Sequence, residues 1–274
     1  MSALNILALN SGSSSLKFGL YRVDSAGAEK LIGETFSTVS TVSTVSTLST
    51  LSTVPTADHP DVMTRVASAL AASGMPAPDA IGHCVVHGGP ALRQHWRIDD
   101  VVLRQLQAAA AFVPLHTPAA LALIRSTQAH FPGIAQVACF DTQFHAGLPE
   151  VARVLPLARE LLSEGMQRYG FHGLSLESIV RQLGPDLPER LIAAMIAVLD
   201  GLDMLVFTGG IGENDAQVRV AICSGLSWIG VSLDDSRNRS ASNPVSDGPS
   251  RCQVLVLASQ EDEQIARHTW ALLT

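Results

Sequence analysis

The chain has 274 residues, 47% hydrophobic and 16% charged, which is enough for one large or two modest domains with a sizeable core. Its net charge of −7 at pH 7 argues against a nucleic-acid or anionic-membrane surface. Its four cysteines are far apart and include no C-x-x-C pair, so neither a zinc site nor a disulfide framework is indicated.

The amino-terminal segment has no basic region and no cleavage site, which argues against a signal peptide. The longest apolar stretch, Leu191 to Leu199, is too short to span a bilayer. We therefore expect a soluble, cytoplasmic protein with no nucleic-acid and no membrane partner.

The first elements are two strands, Leu4–Asn10 and Leu16–Val23, which a Ser/Gly turn joins into a predicted hairpin. Residues 37–54 then repeat a three-residue Ser-Thr-Val unit. A period of three suits neither a strand nor a helix, so we interpret this segment as an expanded surface loop.

Strands and helices alternate along the rest of the chain, which indicates an α/β fold. Further strands are predicted at 80–89, 134–145, 202–208 and 252–259, and several of them end in glycine or polar residues. Helices are predicted at 61–73, 99–112, 117–131, 191–201, 216–230 and 261–273. Thr117 and Pro118 suit the cap and first turn of the third helix.

Lys17 is one of only two lysines in the chain and lies beside the Ser/Gly turn. Such a turn can present backbone N–H groups to an anion, and a nearby lysine adds a positive charge. The spacing is not that of a Walker A loop, so a plain hairpin turn is the alternative. Ser14 to Lys17 also fits S-x-x-K, but the partner elements of a serine acyl enzyme are lacking.

Glycines and polar residues also lie at the ends of later strands. The sequence "TGGIGEN" (Thr208–Asn214) suits phosphate or nucleotide binding, or else a tight β–α turn. Asp141 in "FDTQFH" and His172 in "RYGFHG" are candidates for a ligand crevice, or else a capping aspartate and a core histidine. Together these elements predict a phosphate-handling cleft.

Six motifs in this order resemble those of the acetate kinase family and its propionate kinase relatives: "LNSGSSSLKFGL", "GHCVVHGG", "PLHTPAAL", "VACFDTQFH", "QRYGFHGLS" and "LVFTGGIGEN". The resemblance implies two ribonuclease-H-like domains of the acetate and sugar kinase/actin superfamily. It implies transfer of the γ-phosphoryl group of ATP to acetate or another short carboxylate, with Mg²⁺ as cofactor, ADP as product and a homodimer as the assembly.

The resemblance also assigns site residues. Asp141 and His172 would be catalytic, Asn10 and Glu261 would bind the metal, and Cys84 lies in the substrate slot. The nucleotide contacts would be Lys17, Ser13, Ser15, Gly209, Gly210, Ile211, Gly212 and Glu213.

The domain boundaries follow from the same resemblance. We expect an amino-terminal domain over residues 1–145 and 262–274, with 37–54 as its low-complexity loop. The second domain, over 146–261, would carry the nucleotide-binding turn and be truncated.

This chain departs from the family pattern in two places. Cys84 stands where the family has an arginine that is expected to bind the substrate carboxylate, and a thiol offers no fork of N–H donors. Near Leu191 a central block is absent, including a glycine-rich nucleotide turn and a second catalytic arginine. We therefore expect an incomplete second sheet, in which 204–208 and 252–258 supply the surviving strands.

Two functional hypotheses follow. The first is an ATP-dependent acetate kinase, with activity reduced by these departures. The second is a catalytically impaired or inactive remnant that binds nucleotide or acts by association.

Overall fold

A computed structural model describes residues 2–12, 15–37, 59–148, 154, 168–184 and 202–274. Ser13, most of the Ser-Thr-Val repeat and the predicted helix at 191–201 lie outside these residues. The described chain forms two compact units, residues 1–177 with 261–274, and residues 178–260. Among the described helices, none has both the length and the apolar character that a membrane crossing requires.

Among the described residues, the first unit contains six strands, four complete α-helices and the start of a fifth α-helix. The strands are β1 (Leu4–Ser11), β2 (Ser15–Val23), β3 (Ala28–Ser37), β4 (Ala80–Val85), β5 (Trp96–Arg97) and β6 (Ala135–Phe140). The helices are α1 (His59–Ser73), α2 (Asp100–Ala109), α3 (Thr117–His130) and α4 (Gly173–Leu183), followed at the carboxyl end of the chain by α8 (Glu261–Leu273). Strands β3 and β5 were not predicted.

The six strands form one sheet in the order β3-β2-β1-β4-β6-β5. The predicted hairpin is confirmed, since β1 and β2 pair in antiparallel fashion from Leu4–Val23 to Ser11–Leu16. β1, β4 and β6 are parallel neighbours, so their carboxyl ends lie at one edge of the sheet. In α/β proteins that edge is where ligands bind.

Both faces of this sheet are covered, which explains the almost continuous apolar run of β1. Leu7 and Leu9 pack with Met63 of α1 and Leu123 of α3 on one face. On the other face, residues that alternate with these, such as Ile6 and Ala8, pack with Ile265 and Ala266 of α8, so the sheet is the centre of the core.

Glycine is required where α8 crosses the sheet at Gly82. A Cβ atom there would collide with the side chains of Thr269 and Ile265. This close approach brings the amino-terminal end of α8 to the edge where β1 and β4 end.

The second unit is smaller. It contains the two parallel strands β7 (Met204–Phe207) and β8 (Gln253–Val256) and the helices α5 (Gly209–Asn214), α6 (Ala216–Gly225) and α7 (Asp235–Ser240). Among the described residues its sheet has two strands, which are those expected to survive. Helix α6 ends five residues before the predicted end, because a separate 3-10 turn follows at Ser227–Ile229.

The boundary between the two units lies at a different position from the expected domain boundary. The domain assignment itself stays a prediction. The units meet within α4, between Glu177 and Ser178, and not near residue 145. Leu174 packs in the same cluster as Ile6 and Ile265, and Glu177 bonds to His268, so the start of α4 belongs with the first unit. At α3 the capping position is His116 and not Thr117, which is already helical.

Candidate functional site

Four of the predicted site residues meet at the carboxyl edge of the six-stranded sheet. Asn10 lies near the end of β1, Cys84 near the end of β4 and Asp141 directly after β6. Glu261 begins α8, and its Oε2 accepts a hydrogen bond of 2.8 Å from Asn10 Nδ2. Parallel strand pairing and the packing of α8 on the sheet therefore assemble a site from segments that are up to 251 residues apart in the chain.

These side chains line a cavity of about 520 Å³ within the first unit. His172 also lines it, so five predicted site residues share one space. The other lining residues are Ser11, Gly12, Val86, Val113, His116 and Phe171. The sequence analysis gave none of these six a specific role, although all of them except Val113 lie inside the quoted motifs.

Asp141 is an acid of this cavity whose pKa is shifted. It is buried, and burial together with the charge of Glu261 raises its pKa to about 6. A hydrogen bond from the Leu174 amide and the neighbouring His172 act in the opposite direction. Two acids that share a buried space repel each other when both are ionised, and this favours a positive charge between them.

The loop that carries His172 packs tightly on the turn after β6. The Gly173 amide donates to the Asp141 carbonyl at 3.0 Å, and a Cβ on Gly173 would collide with that carbonyl. His145 Nε2 lies 3.1 Å from the Phe171 carbonyl. His172 itself has a φ of 58°, a left-handed conformation that is uncommon for residues other than glycine. The packing thus holds His172 at the cavity wall.

Cys84 provides no positive charge to this cavity. Burial and the charges of Asp141 and Glu261 hold the pKa of its thiol well above the usual range. Among the described residues that line the cavity, none is lysine or arginine. Among these lining residues, a carboxylate ligand would find imidazole, amide and hydroxyl groups as hydrogen-bond donors, together with whatever cation the acids hold.

The predicted phosphate contacts of the β1–β2 hairpin are Lys17, Ser13 and Ser15, and neither Lys17 nor Ser15 lines this cavity. Lys17 is paired opposite Asn10 across β1 and β2, so the two side chains share a face of the sheet. Its side chain is exposed and does not line the cavity. Ser15 is half-buried at the start of β2, while Ser13 lies outside the described residues.

The "GGIGEN" segment lies in the second unit and is α5. Gly209 has a φ of 75°, which glycine tolerates without strain, and begins the helix directly after β7. Glu213 Oε1 accepts hydrogen bonds from the amides of Gly209, at 2.7 Å, and Ser259, at 2.8 Å. This carboxylate oxygen therefore ties the start of the turn to the segment after β8.

A second group of titratable residues in the first unit consists of His95, Glu177 and His268. Glu177 Oε2 is 2.8 Å from His268 Nε2, and the ring of His95 lies 4.0 Å from that of His268. His95 Nδ1 accepts a hydrogen bond from the Phe140 amide, so Nε2 carries the proton of the neutral ring. Because a protonated nitrogen cannot ligate, this group does not make a three-residue metal site.

The donor set at the first cavity fits a hard divalent cation. Asn10, Asp141 and Glu261 supply an amide oxygen and two carboxylates to one space, and Mg²⁺ prefers such oxygen ligands. The charge of Glu261 contributes to the raised pKa of Asp141, and a cation between the two carboxylates would offset this repulsion.

Comparison with known proteins identifies the same family as the motifs. The profile of the acetokinase family matches residues 5–187 and 186–267. The chain is similar to the acetate kinases of Methylocella silvestris (27% identical; 98% of each chain covered) and Nitrobacter hamburgensis (28%; 98% of this chain and 96% of the relative). The first of these comparisons spans 394 positions against 274 residues here, so at least 120 positions have no counterpart in this chain.

Solved structures show the same fold. A propionate kinase from Francisella tularensis has a TM-score of 0.72 at 22% identity, covering 99% of this chain and 100% of its own. An acetate kinase from Porphyromonas gingivalis has a TM-score of 0.68 at 20% identity, covering 98% and 100%. The expected actin-like fold is confirmed, and so is its incomplete second domain, since the two family matches meet at residues 186–187.

Proposed function

We propose a function for this chain from the premise that it belongs to the acetokinase family. That function is transfer of the γ-phosphoryl group of ATP to acetate, which gives acetyl phosphate and ADP. The observation that carries the proposal is the convergence of Asn10, Asp141, His172 and Glu261 on one cavity at the carboxyl edge of the sheet.

The chemistry of the acceptor suits these residue types. A carboxylate is already ionised at pH 7, so its attack on phosphorus requires no strong base. Catalysis then consists of positioning and of stabilising the charge on the transferred group. His172 can donate a hydrogen bond to that group, and Asp141 can orient what the cavity holds.

Asn10, Asp141 and Glu261 would hold Mg²⁺. When bound, the ion neutralises the charge that develops on the phosphate oxygens. The role of the chain is to fix these oxygen donors, which the Asn10–Glu261 hydrogen bond and the burial of Asp141 achieve.

Two groups of residues are candidates for the nucleotide contacts. Gly209, Gly210, Ile211, Gly212 and Glu213 form the turn after β7, where glycine allows a close approach of the backbone. Lys17, Ser13 and Ser15 would contribute at the hairpin, with the Lys17 ammonium as a positive charge for the phosphates.

An impaired kinase is the second candidate. Its support is Cys84, which stands in the acceptor cavity without a positive charge, together with the positions near residue 187 that relatives have and this chain lacks. Such a chain would bind ATP and transfer its phosphoryl group slowly or not at all.

A hydroxamate assay for acetyl phosphate, with Mg²⁺, ATP and acetate, tests the proposal on the purified chain. Turnover at ~1–100 s⁻¹, the usual range of kinases, supports an active acetate kinase. ATP binding in calorimetry without acetyl phosphate supports the impaired kinase. If the chain neither binds ATP nor forms acetyl phosphate, both the active and the impaired kinase are contradicted.

The assembly and location that we propose are a homodimer and the cytoplasm. Loss of part of the second domain would leave apolar surface that favours association. Light scattering at micromolar concentration measures the assembly, and a monomer would contradict the dimer.

A further inference from the structure

Among the described residues, Arg219 of α6 is the largest fully buried side chain, with only 2% of its surface exposed. Its Nη1 donates to the carbonyl oxygens of Gly212, at 2.8 Å, and Glu213, at 3.0 Å. Its Nε donates to Asn238 Oδ1 at 2.7 Å, and Nη2 donates to the Asn238 carbonyl. All four of these acceptors are neutral carbonyl oxygens, so a permanent positive charge is buried here among carbonyl groups.

Burying a charged side chain in a core costs desolvation free energy. An apolar side chain of similar volume is often as stable or more stable at such a position. The guanidinium differs from an apolar side chain in having a planar fork of N–H donors with fixed directions. That fork determines where the Gly212 and Glu213 carbonyls point, and therefore how α5 ends.

The start of α5 is fixed by the side chain of the same glutamate. Glu213 Oε1 accepts from the Gly209 amide and from the Ser259 amide, while its main-chain carbonyl accepts from Arg219. Residues 209–213 are thus held at the first residue by Glu213 and at the last two by Arg219. Asn238 completes the arrangement, because its Nδ2 donates to the Ala216 carbonyl at 2.9 Å.

We propose that Arg219, oriented by Asn238, is a positioning residue for nucleotide binding by the 209–213 turn. The inference rests on the proposed function, in which this turn contacts ATP. A binding backbone must be held to a fraction of an ångström, because a displacement of about 1 Å can cost about 100-fold in function. Among the side-chain hydrogen bonds of the described residues, those to the Gly212 and Glu213 carbonyls come from Arg219.

The experiment measures the dissociation constant of ATP, in the presence of Mg²⁺, by calorimetry on the full chain. Arg219→Met keeps the volume and removes the fork, and we expect ATP binding to weaken ~10–100-fold, as for the loss of two hydrogen bonds to a charged group. Arg219→Lys keeps the positive charge but lacks the planar fork of N–H donors, and it should weaken ATP binding almost as much. Asn238→Ala removes one acceptor and should weaken it ~3–10-fold.

Arg237→Met is the matched control, since Arg237 also lies in the second unit but its side chain is 48% exposed. Its ATP affinity should stay within ~2-fold of the unaltered chain, as for surface substitutions in general. Hydrogen exchange provides a second readout that a loss of general stability would not give. Amides 209–214 should exchange faster in Arg219→Lys and Asn238→Ala, while those of β7 and β8 keep their protection.

The outcomes separate this inference from the proposed function. If the unaltered chain does not bind ATP, the nucleotide function and the inference both fail. If the unaltered chain binds ATP and folded Arg219→Lys and Asn238→Ala bind it equally well, only the inference fails. If Arg219→Met does not fold, the other two variants decide. If acetyl phosphate is formed, KM for ATP should rise in Arg219→Lys while KM for acetate stays unchanged.

Discussion

The two units position their candidate site residues by different means. In the first unit a six-stranded sheet, covered by helices on both faces, brings Asn10, Cys84 and Asp141 together through strand register. In the second unit the described sheet has two strands, and the 209–213 turn is held by buried polar side chains. Apolar packing thus defines the first site, and hydrogen bonds with fixed directions define the second.

This difference has a consequence for how each unit should respond to substitution. A sheet core tolerates the loss of one polar contact but not a collision at close-packed backbone. A polar arrangement tolerates small changes in volume but not the loss of one partner, because the other is left buried without a hydrogen bond. The glycine prediction compares the two units directly, and the other three predictions probe the site of the first unit.

The largest expected effect is the loss of phosphoryl transfer in Asp141→Asn. Asp141 would help to hold the cation and to orient the reactants, and a misplacement of about 1 Å can cost about 100-fold, so we expect a fall of about that size in kcat for acetyl phosphate formation. Asp100→Asn, at an exposed position in the same unit, is the matched control. Equal rates for both variants and the unaltered chain would remove Asp141 from the mechanism.

The second prediction concerns stability and pH. The folded-state pKa of Asp141 is raised to about 6, so its ionisation disfavours the folded state. The cost is absent below about pH 4, grows as the pH rises, and is complete above about pH 6. Asp141→Asn should therefore be more stable than the unaltered chain at pH 7, by on the order of 2 kcal/mol, and equally stable near pH 4.

Denaturant titrations at pH 4, 5, 6 and 7, in EDTA to exclude divalent cations, measure this difference. If the difference in free energy of unfolding between the variant and the unaltered chain is the same at every pH, the folded-state pKa of Asp141 is not raised. Repeating the pH 7 titration with Mg²⁺ should reduce the difference, because a cation between Asp141 and Glu261 offsets their repulsion.

The third prediction compares a glycine in each unit. Gly82→Ala puts a Cβ against Thr269 and Ile265, and such overpacking should destabilise the chain by about 1–3 kcal/mol. Gly210→Ala has open space around its Cβ and lies in α5, so it should be neutral or stabilising by up to about 1 kcal/mol. Thermal melts of both variants measure this, and equal melting temperatures would contradict the packing of α8 on the sheet.

The smallest expected effect comes from Cys84→Arg. An arginine in the acceptor cavity would give acetate a bidentate partner, and we expect KM for acetate to fall about tenfold while kcat changes little. Cys84→Ser, which changes size little and adds no charge, is the control. A large rise in kcat would show that this one position, and not the absent central block, limits turnover.

Much of the fold could be predicted from the sequence, because local patterns suffice for most of the long elements. Alternating and continuous apolar runs placed β1, β2, β4 and β6, and helical spacing placed α1, α2 and α3. Strand β3 was missed because Glu29, Lys30, Glu34 and Thr35 give it a polar pattern, which an edge position beside β2 tolerates. Strand β5 has only two residues, too few for a periodic pattern.

The motifs by themselves determined the family and the identity of most candidate site residues, because each is a short run whose chemistry is local. Only the tertiary structure decided which of them share a space: Asn10, Cys84, Asp141, His172 and Glu261 line one cavity, while Lys17 does not. It also decided that Glu213 is engaged by Gly209 and Ser259, and that Arg219 is buried. Strand register, burial and the distance between charges depend on residues far apart in the chain, and no local pattern contains them.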